Sequence, residues 1–220
     1  MKEPTASLDI EPRLPAVLTI VVEVFLLGAL PGRVKTLPVW GMPALMVVTI
    51  VPMAALAVSA EKARWLRIER IVMLLFLLIS AFVLLDSIGF LLSAMLRPKA
   101  HVSGIQLLES SIAAWTGNVL ICSLVYWRMD RGGPESRRND VSTHKDWLFP
   151  QESAGEHVPP KWRPSYVDYL FLAFCTATAF SPTEALPLTS RAKLLMMAES
   201  TISLVTIIAI AARAINILTL

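Results

Sequence analysis

The chain has 220 residues, of which 55% are hydrophobic and 17% are charged, and its formal net charge is +3 at pH 7. A soluble domain of this length does not need so much apolar surface, so the composition excludes an ordinary soluble enzyme and predicts that the chain lies largely in a lipid bilayer. The basic residues are spread over short polar stretches, which argues against nucleic-acid binding and favours lipid headgroups as counter-charges.

Four apolar segments occupy most of residues 1–128, and a helix needs about 20 such residues to cross a bilayer. They cover residues 14–30, 38–60, 69–96 and 105–127. Pro43 and Pro52 predict kinks in the second segment, and Tyr126-Trp127 at the end of the fourth suggests an interfacial anchor. A cleaved signal peptide is the alternative for the first segment, but Glu23 interrupts its apolar run. We therefore predict a four-helix membrane region over 1–128.

A polar stretch follows over residues 129–165, with Pro, Gly and charges of both signs. We predict a soluble loop here, which is a candidate contact for a soluble partner. His144 and His157 lie in this stretch, and His101 lies in an earlier one. Their spacing does not match any metal-ligand pattern, so no metal site is predicted.

Residues 166–220 begin with a short apolar segment over 166–180 and end with a helix that begins near Thr189-Ser190, a good N-cap pair. The short segment has about 15 residues and as a helix reaches only about 22 Å. Either it crosses as a sixth span, or it re-enters the membrane and returns. The predicted fold is an all-α, polytopic helical bundle of five spans plus a short sixth or re-entrant helix.

Lysine and arginine residues are distributed unequally between the two sides. With six spans, the richer side has Lys2, Arg13, Lys62, Arg64, Arg67, Arg70, Arg128, Arg131, Arg137 and Arg138, and the other has Arg33, Lys35, Arg97, Lys99, Arg191 and Lys193. The positive-inside rule then places the N-terminus and the polar loop in the cytoplasm, and with five spans it places the loop there as well. The predicted location is a bacterial inner (plasma) membrane, crossed several times.

Ionisable residues inside apolar segments are the main functional candidates, because each costs at least about 2.5 kcal/mol at the bilayer centre unless it is partnered or hydrated. They are Glu23, Asp86, Glu109, Glu199 and Arg213. With six spans, Asp86, Glu109 and Glu199 fall in the outer half and form a predicted site for binding a cation or relaying protons. The alternative is that these residues only join helices by hydrogen bonds, with Arg213 extending to the interface.

The last predicted helix carries polar residues at three-, four- and seven-residue steps, which places them on one face: Glu199, Ser203, Thr206, Arg213 and Asn216. We expect this face to point into the bundle or towards another subunit. The two cysteines, Cys122 and Cys175, lie in apolar segments. No phosphate-binding loop, nucleophile elbow, zinc signature or paired-cysteine motif is present, so neither an enzyme nor a bound cofactor is predicted.

Residues 166–218 resemble the pore-helix, filter and inner-helix unit of potassium channels. An apolar stretch ends in Thr176 and Thr178, and an acid, Glu184, and a Pro and a Thr follow before the long helix. This resemblance implies a homo-oligomer that permeates cations, with the pore mouth lined by Thr176, Thr178, Ser181, Thr183 and Glu184, and with Glu199 attracting cations. Both filter glycines of that family are replaced, so potassium selectivity is not expected.

The same segment, with its Ala-Thr-Ala-Phe-Ser-Pro-Thr run over 177–183, is similar to uncharacterised bacterial membrane proteins related to the DUF1345 family. That resemblance implies no activity. Potassium channels place the corresponding loop outside the cell, whereas the charge distribution here places it inside. Two further hypotheses remain beside permeation: a non-conducting scaffold that binds a partner through residues 129–165, and a small proton-coupled carrier that uses Asp86, Glu109 and Glu199.

Overall fold

The computed structural model of the chain describes residues 10–29, 38, 40–59, 61–96, 104–139, 141, 144–160, 162–178 and 185–218. These residues are mostly helical. The helices are α1 (Leu14–Ala29), α2 (Gly41–Val58), α3 (Lys62–Leu96), α4 (Gly104–Met129), α5 (Pro134–Arg138), α6 (Tyr166–Thr178) and α7 (Ser190–Leu218). Two short strands, β1 (Trp147–Leu148) and β2 (Leu186–Pro187), pair antiparallel.

Four helices of the described chain are long and apolar enough to cross a membrane: Gly41–Val58, Lys62–Ser93, Ile105–Gly132 and Ser190–Ala212. Leu14–Gly28 and Tyr166–Thr178 are shorter apolar helices. Helix α3 begins seven residues before the predicted apolar segment, because its first two turns mix charged and apolar residues that are all compatible with a helix. Helix α2 continues through Pro52, while Pro43 lies in its first turn, where a proline is tolerated.

Helix α4 is the centre of the bundle, since it packs against α1, α3, α6 and α7. Helices α2 and α7 are the least covered of the four long helices. Their outward faces are apolar, with Val47, Val48, Leu194, Met197 and Ile208 all more than half exposed. A bundle with such a surface is suited to lipid, where apolar side chains are stable without protein neighbours.

The N-terminus of α1 and the C-terminus of α4 meet at one end of the bundle, which we call the loop end because the described residues between 130 and 160 also lie there. Arg13 connects the elements at this end. Its guanidinium lies 3.1 Å from the carboxylate of Glu69 on α3, is paired with Glu135 on α5, and stacks at 5.1 Å over the ring of Trp127 on α4. A single buried arginine therefore fixes α1, α3, α4 and α5 to one another.

The polar loop folds onto the bundle at this end. Trp147 of β1 is fully buried, with its ring centroid 4.8 Å from that of Tyr126 and 6.4 Å from that of Tyr169. Asp146 accepts hydrogen bonds from Thr189 at 2.6 Å and from Arg191 at 2.7 Å. These contacts fix the loop to the start of α7.

The start of α6 and strand β2 lie at the same end of α4. Tyr166 lies 2.7 Å from the hydroxyl of Ser123 and stacks edge-on against Trp127. At the other end of α6, Phe174 contacts Trp115, which lies about 18 Å along α4 from Trp127. Leu186 then pairs with Leu148 back at the loop end. Tyr166 and Leu186 therefore both lie at the loop end, while Phe174 lies deeper in the bundle.

We expect Trp147→Ala to lower the free energy of unfolding by about 3–5 kcal/mol, because it removes the aromatic side chain that joins the loop to α4, α6 and α7. Trp40→Ala is the matched control, since Trp40 is 70% exposed and its loss is expected to cost less than about 0.5 kcal/mol. Denaturation of both variants in mixed micelles measures the difference. Equal costs would show that the loop is not anchored through Trp147.

Candidate functional site: a buried acidic site beside the fourth helix

Glu199 lies in the middle of the contact between α7 and α4. It is fully buried, and the hydroxyl of Tyr126 donates a hydrogen bond to its Oε2. Its Oε1 has no hydrogen-bond partner among the described residues. Ser203 and Thr206, one and two turns further along α7, are also buried, so this part of the predicted polar face does point into the bundle.

Asn118 on α4 holds the same stretch of α7. Its side-chain amide donates to the backbone oxygen of Glu199 at 3.1 Å and to the hydroxyl of Ser203 at 3.0 Å. The thiol of Cys122, one turn along α4, donates to the amide oxygen of Asn118 at 3.8 Å. Polar groups thus link α4 and α7 where the surrounding side chains are apolar.

Glu23 approaches α4 from the other side, on α1. It is fully buried, and neither of its carboxylate oxygens has a hydrogen-bond partner among the described residues. These oxygens lie 3.4 and 3.5 Å from the position that a Cβ would occupy on Gly117. The carboxylate of Glu23 therefore lies directly beside the backbone of α4 at Gly117.

The two glutamates belong to one electrostatic environment. Glu23 lies against Gly117, and Glu199 is held by Asn118 and Tyr126, so the two carboxyl groups flank the same stretch of α4. We call this group the buried acidic site. It consists of Glu23, Gly117, Asn118, Cys122, Tyr126 and Glu199.

The two carboxyl groups of the buried acidic site differ from the other buried carboxyl groups of the described chain in their lack of an arginine partner. Four buried acids lie within ion-pair distance of an arginine: Glu11 with Arg137 at 3.2 Å, Glu69 with Arg13 at 3.1 Å, Asp130 with Arg131 at 3.7 Å and Asp146 with Arg191 at 2.7 Å. Within the described residues, Glu23 and Glu199 have no such partner. A buried carboxylate without a counter-charge is costly, so each of these groups must take up a proton or a small cation.

The other ionisable residues singled out from the sequence lie elsewhere. Asp86 on α3 and Glu109 on α4 are both exposed. Glu109 precedes Tyr126 by 17 residues on α4, a distance of about 25 Å along the helix. The structure therefore does not bring Asp86, Glu109 and Glu199 together. Arg213 lies in α7, but its side chain is outside the described part.

The residues predicted to line a pore mouth are only partly described. Thr176 is buried, and its hydroxyl donates to the backbone oxygen of Leu172 at 2.8 Å. The hydroxyl of Thr178 donates to the backbone oxygen of Phe174 at 3.0 Å. Both side chains therefore bond to α6 itself. Ser181, Thr183 and Glu184 lie outside the described residues.

The residues that contact the two glutamates were not predicted from the sequence. Tyr126 and Trp127 suggested an interfacial anchor, but both are fully buried, and Tyr126 binds Glu199 instead. The interpretation failed because an aromatic pair beside an arginine is typical of a membrane interface, and here the folded loop covers it. For Gly117 and Asn118 the only available signal was their position on a helix with several other polar residues.

No family model, no curated protein and no solved structure matches this chain. Among the residues that the structure describes, no group of three or more His, Cys, Asp or Glu side chains is arranged to hold a metal ion. The site is therefore interpreted from its own geometry. That geometry offers two carboxyl groups, a phenol, a thiol and an amide in an apolar surrounding.

The contact between Tyr126 and Glu199 predicts energetic coupling. We expect a double-mutant cycle of Tyr126→Phe and Glu199→Gln to give a coupling energy of about 1–3 kcal/mol in the free energy of unfolding, because the phenol donates to a buried carboxyl group. A second cycle pairs Tyr126→Phe with Glu109→Gln and should be additive within about 0.5 kcal/mol. Additivity in the first cycle would contradict the contact.

Proposed function

We propose that the chain is a membrane protein of five spans and one re-entrant half-helix that moves small cations, protons or monovalent metal ions, across the bilayer. The observation that carries the proposal is the buried acidic site, in which Glu23 and Glu199 lack an arginine while the other described buried acids have one. Fixed intramembrane acids without protein counter-charges are typical of cation and proton pathways.

The course of α6 supports the re-entrant architecture. Its 13 residues extend for about 20 Å, which is less than the hydrocarbon core. Backbone that is not helical is tolerated at membrane depth where protein buries it, and α4 and α7 pack against α6 here. The pore-loop resemblance of this segment points to the same architecture. With five spans, the N- and C-termini lie on opposite sides.

A polar route connects the loop end to the buried acidic site. Tyr166 begins α6 at the loop end, and its hydroxyl contacts that of Ser123, the neighbour of Cys122. Glu23 lies against Gly117, which precedes Ser123 by six residues, or about 9 Å along α4. A cation or proton arriving at the loop end, which is the basic and therefore cytoplasmic side, would meet Tyr166 before Glu23.

This route lies within a single chain. In an oligomeric pore, the charged residues of the inner helix would face the shared axis, but Glu199 faces α4 of its own chain and is fully buried. The outward face of α7 is instead apolar, with Leu194, Met197 and Leu204 exposed. We therefore favour a path between α1, α4 and α7 over a path between subunits.

The re-entrant architecture predicts the accessibility of single cysteines. In a chain with Cys122→Ala and Cys175→Ala, we expect Ser153→Cys and Leu188→Cys to react with a membrane-impermeant maleimide from the same side, because both lie at the loop end. Trp40→Cys, at the opposite end, should react from the other side. Labelling of positions 153 and 188 from opposite sides would mean that α6 crosses the membrane.

If the protein moves cations, two variants should lose cation flux while their controls keep it. In liposomes containing the full chain, we expect Glu23→Gln and Glu199→Gln each to lower cation flux by at least about tenfold, because the apolar site then loses the charge that stabilises the cation. Asp86→Asn and Glu109→Gln are matched controls, since these carboxylates are exposed, and should leave the flux unchanged.

Parallel assays with a proton gradient and with a sodium or potassium gradient identify the cation. Flux that equals that of empty vesicles in both assays would contradict the proposed function. A loss that is equal in all four variants would contradict the assignment of the site, because it would reflect surface charge rather than the buried carboxyl groups.

A further inference from the structure

A cavity of about 310 Å³ opens at the loop end between the start of α1, α5 and the start of α6. Among the described residues, three arginines and one glutamate line it: Arg137, Arg138, Arg163 and Glu11. Glu11 is bound by Arg137 at 3.2 Å and by the indole of Trp127 at 2.9 Å. The lining is therefore net basic, and it suits an anion.

The arginines are held in place by the fold. Arg137 is only 1% exposed, donates to the backbone oxygen of Trp127 at 2.6 Å, and stacks at 4.8 Å over the ring of Tyr169. The half-buried side chain of Arg163 donates to the backbone oxygen of Arg138, which ties Arg163 to the end of α5. Guanidinium groups fixed in this way recognise phosphate well, because each offers several donors in a plane.

The surface next to the cavity is apolar. Leu14 and Leu18 on α1 are 66% and 56% exposed, and Val167 and Phe171 on α6 are 59% and 57% exposed. Val167 also lines the cavity itself. A ligand in this position therefore meets positive charge at the mouth of the bundle and an apolar surface along the two helices below it.

We infer that the cavity binds the phosphate of an anionic phospholipid headgroup, with the acyl chains along the exposed faces of α1 and α6. Basic pockets between membrane helices on the cytoplasmic side are suited to such headgroups. The inference uses the membrane placement of α1 and α6 that the proposed function includes, but it does not depend on cation flux. A lipid site and a flux defect can therefore be tested separately.

The test compares binding of phosphatidylglycerol and phosphatidylcholine to the purified full chain in detergent, by native mass spectrometry and by the shift of Tm. We expect phosphatidylglycerol to bind more tightly, and its affinity to fall by about tenfold or more in Arg138→Gln/Arg163→Gln. Arg64→Gln/Arg67→Gln removes two exposed arginines of α3 at the same end and should keep wild-type binding.

A charge-retaining variant and inorganic phosphate serve as two further controls. Arg138→Lys/Arg163→Lys retains the charge and should retain the preference for phosphatidylglycerol, which separates a binding defect from a folding defect. Equal binding of the two lipids by the wild type, or equal losses in the cavity and control variants, would overturn the inference. Inorganic phosphate that raises the Tm as much as phosphatidylglycerol does at equal concentration would overturn the assignment to a lipid.

Discussion

The cost of a negative charge in an apolar interior is the constraint on which this structure depends. At the loop end, arginines offset this cost. Arg13 and Arg137 each neutralise a buried acid and fix helices to one another. Deeper in the bundle the same constraint is met differently. There, Glu23 and Glu199 are surrounded by uncharged groups of α4, and any positive charge must come from a bound proton or cation.

Helix α4 makes this arrangement possible because it packs against both α1 and α7 and carries the groups that contact their glutamates. Gly117 lies directly beside the carboxylate of Glu23, and between one and three turns later Cys122 and Tyr126 present a thiol and a phenol. A more apolar α4 would pack equally well and would leave both acids without polar neighbours. The polar residues of α4 therefore serve the two glutamates as well as helix packing.

The sequence predicted the long apolar helices and named Glu23 and Glu199 among the intramembrane charged residues, because hydropathy and charge are local properties. It did not separate these residues from Asp86 and Glu109, which have the same kind of apolar neighbours in sequence but lie on exposed faces. Which face of a helix is buried depends on its partners. The contact of Asn118 with Ser203 spans 85 residues, and no local pattern reveals it.

Helix α6 illustrates a second limit of prediction from sequence, because a helix of its length could either cross the membrane or enter it and return. The pairing of Leu186 with Leu148, and the hydrogen bond from the backbone of Leu188 to that of Asp146, bring the chain back to the loop end. The C-terminus of α6 then lies inside the bundle, where the hydroxyl of Ser200 bonds to the backbone oxygen of Thr176. The carbonyl end of a helix carries partial negative charge. It therefore has the same sign as Glu23 and Glu199, and all three features favour a cation in the interior.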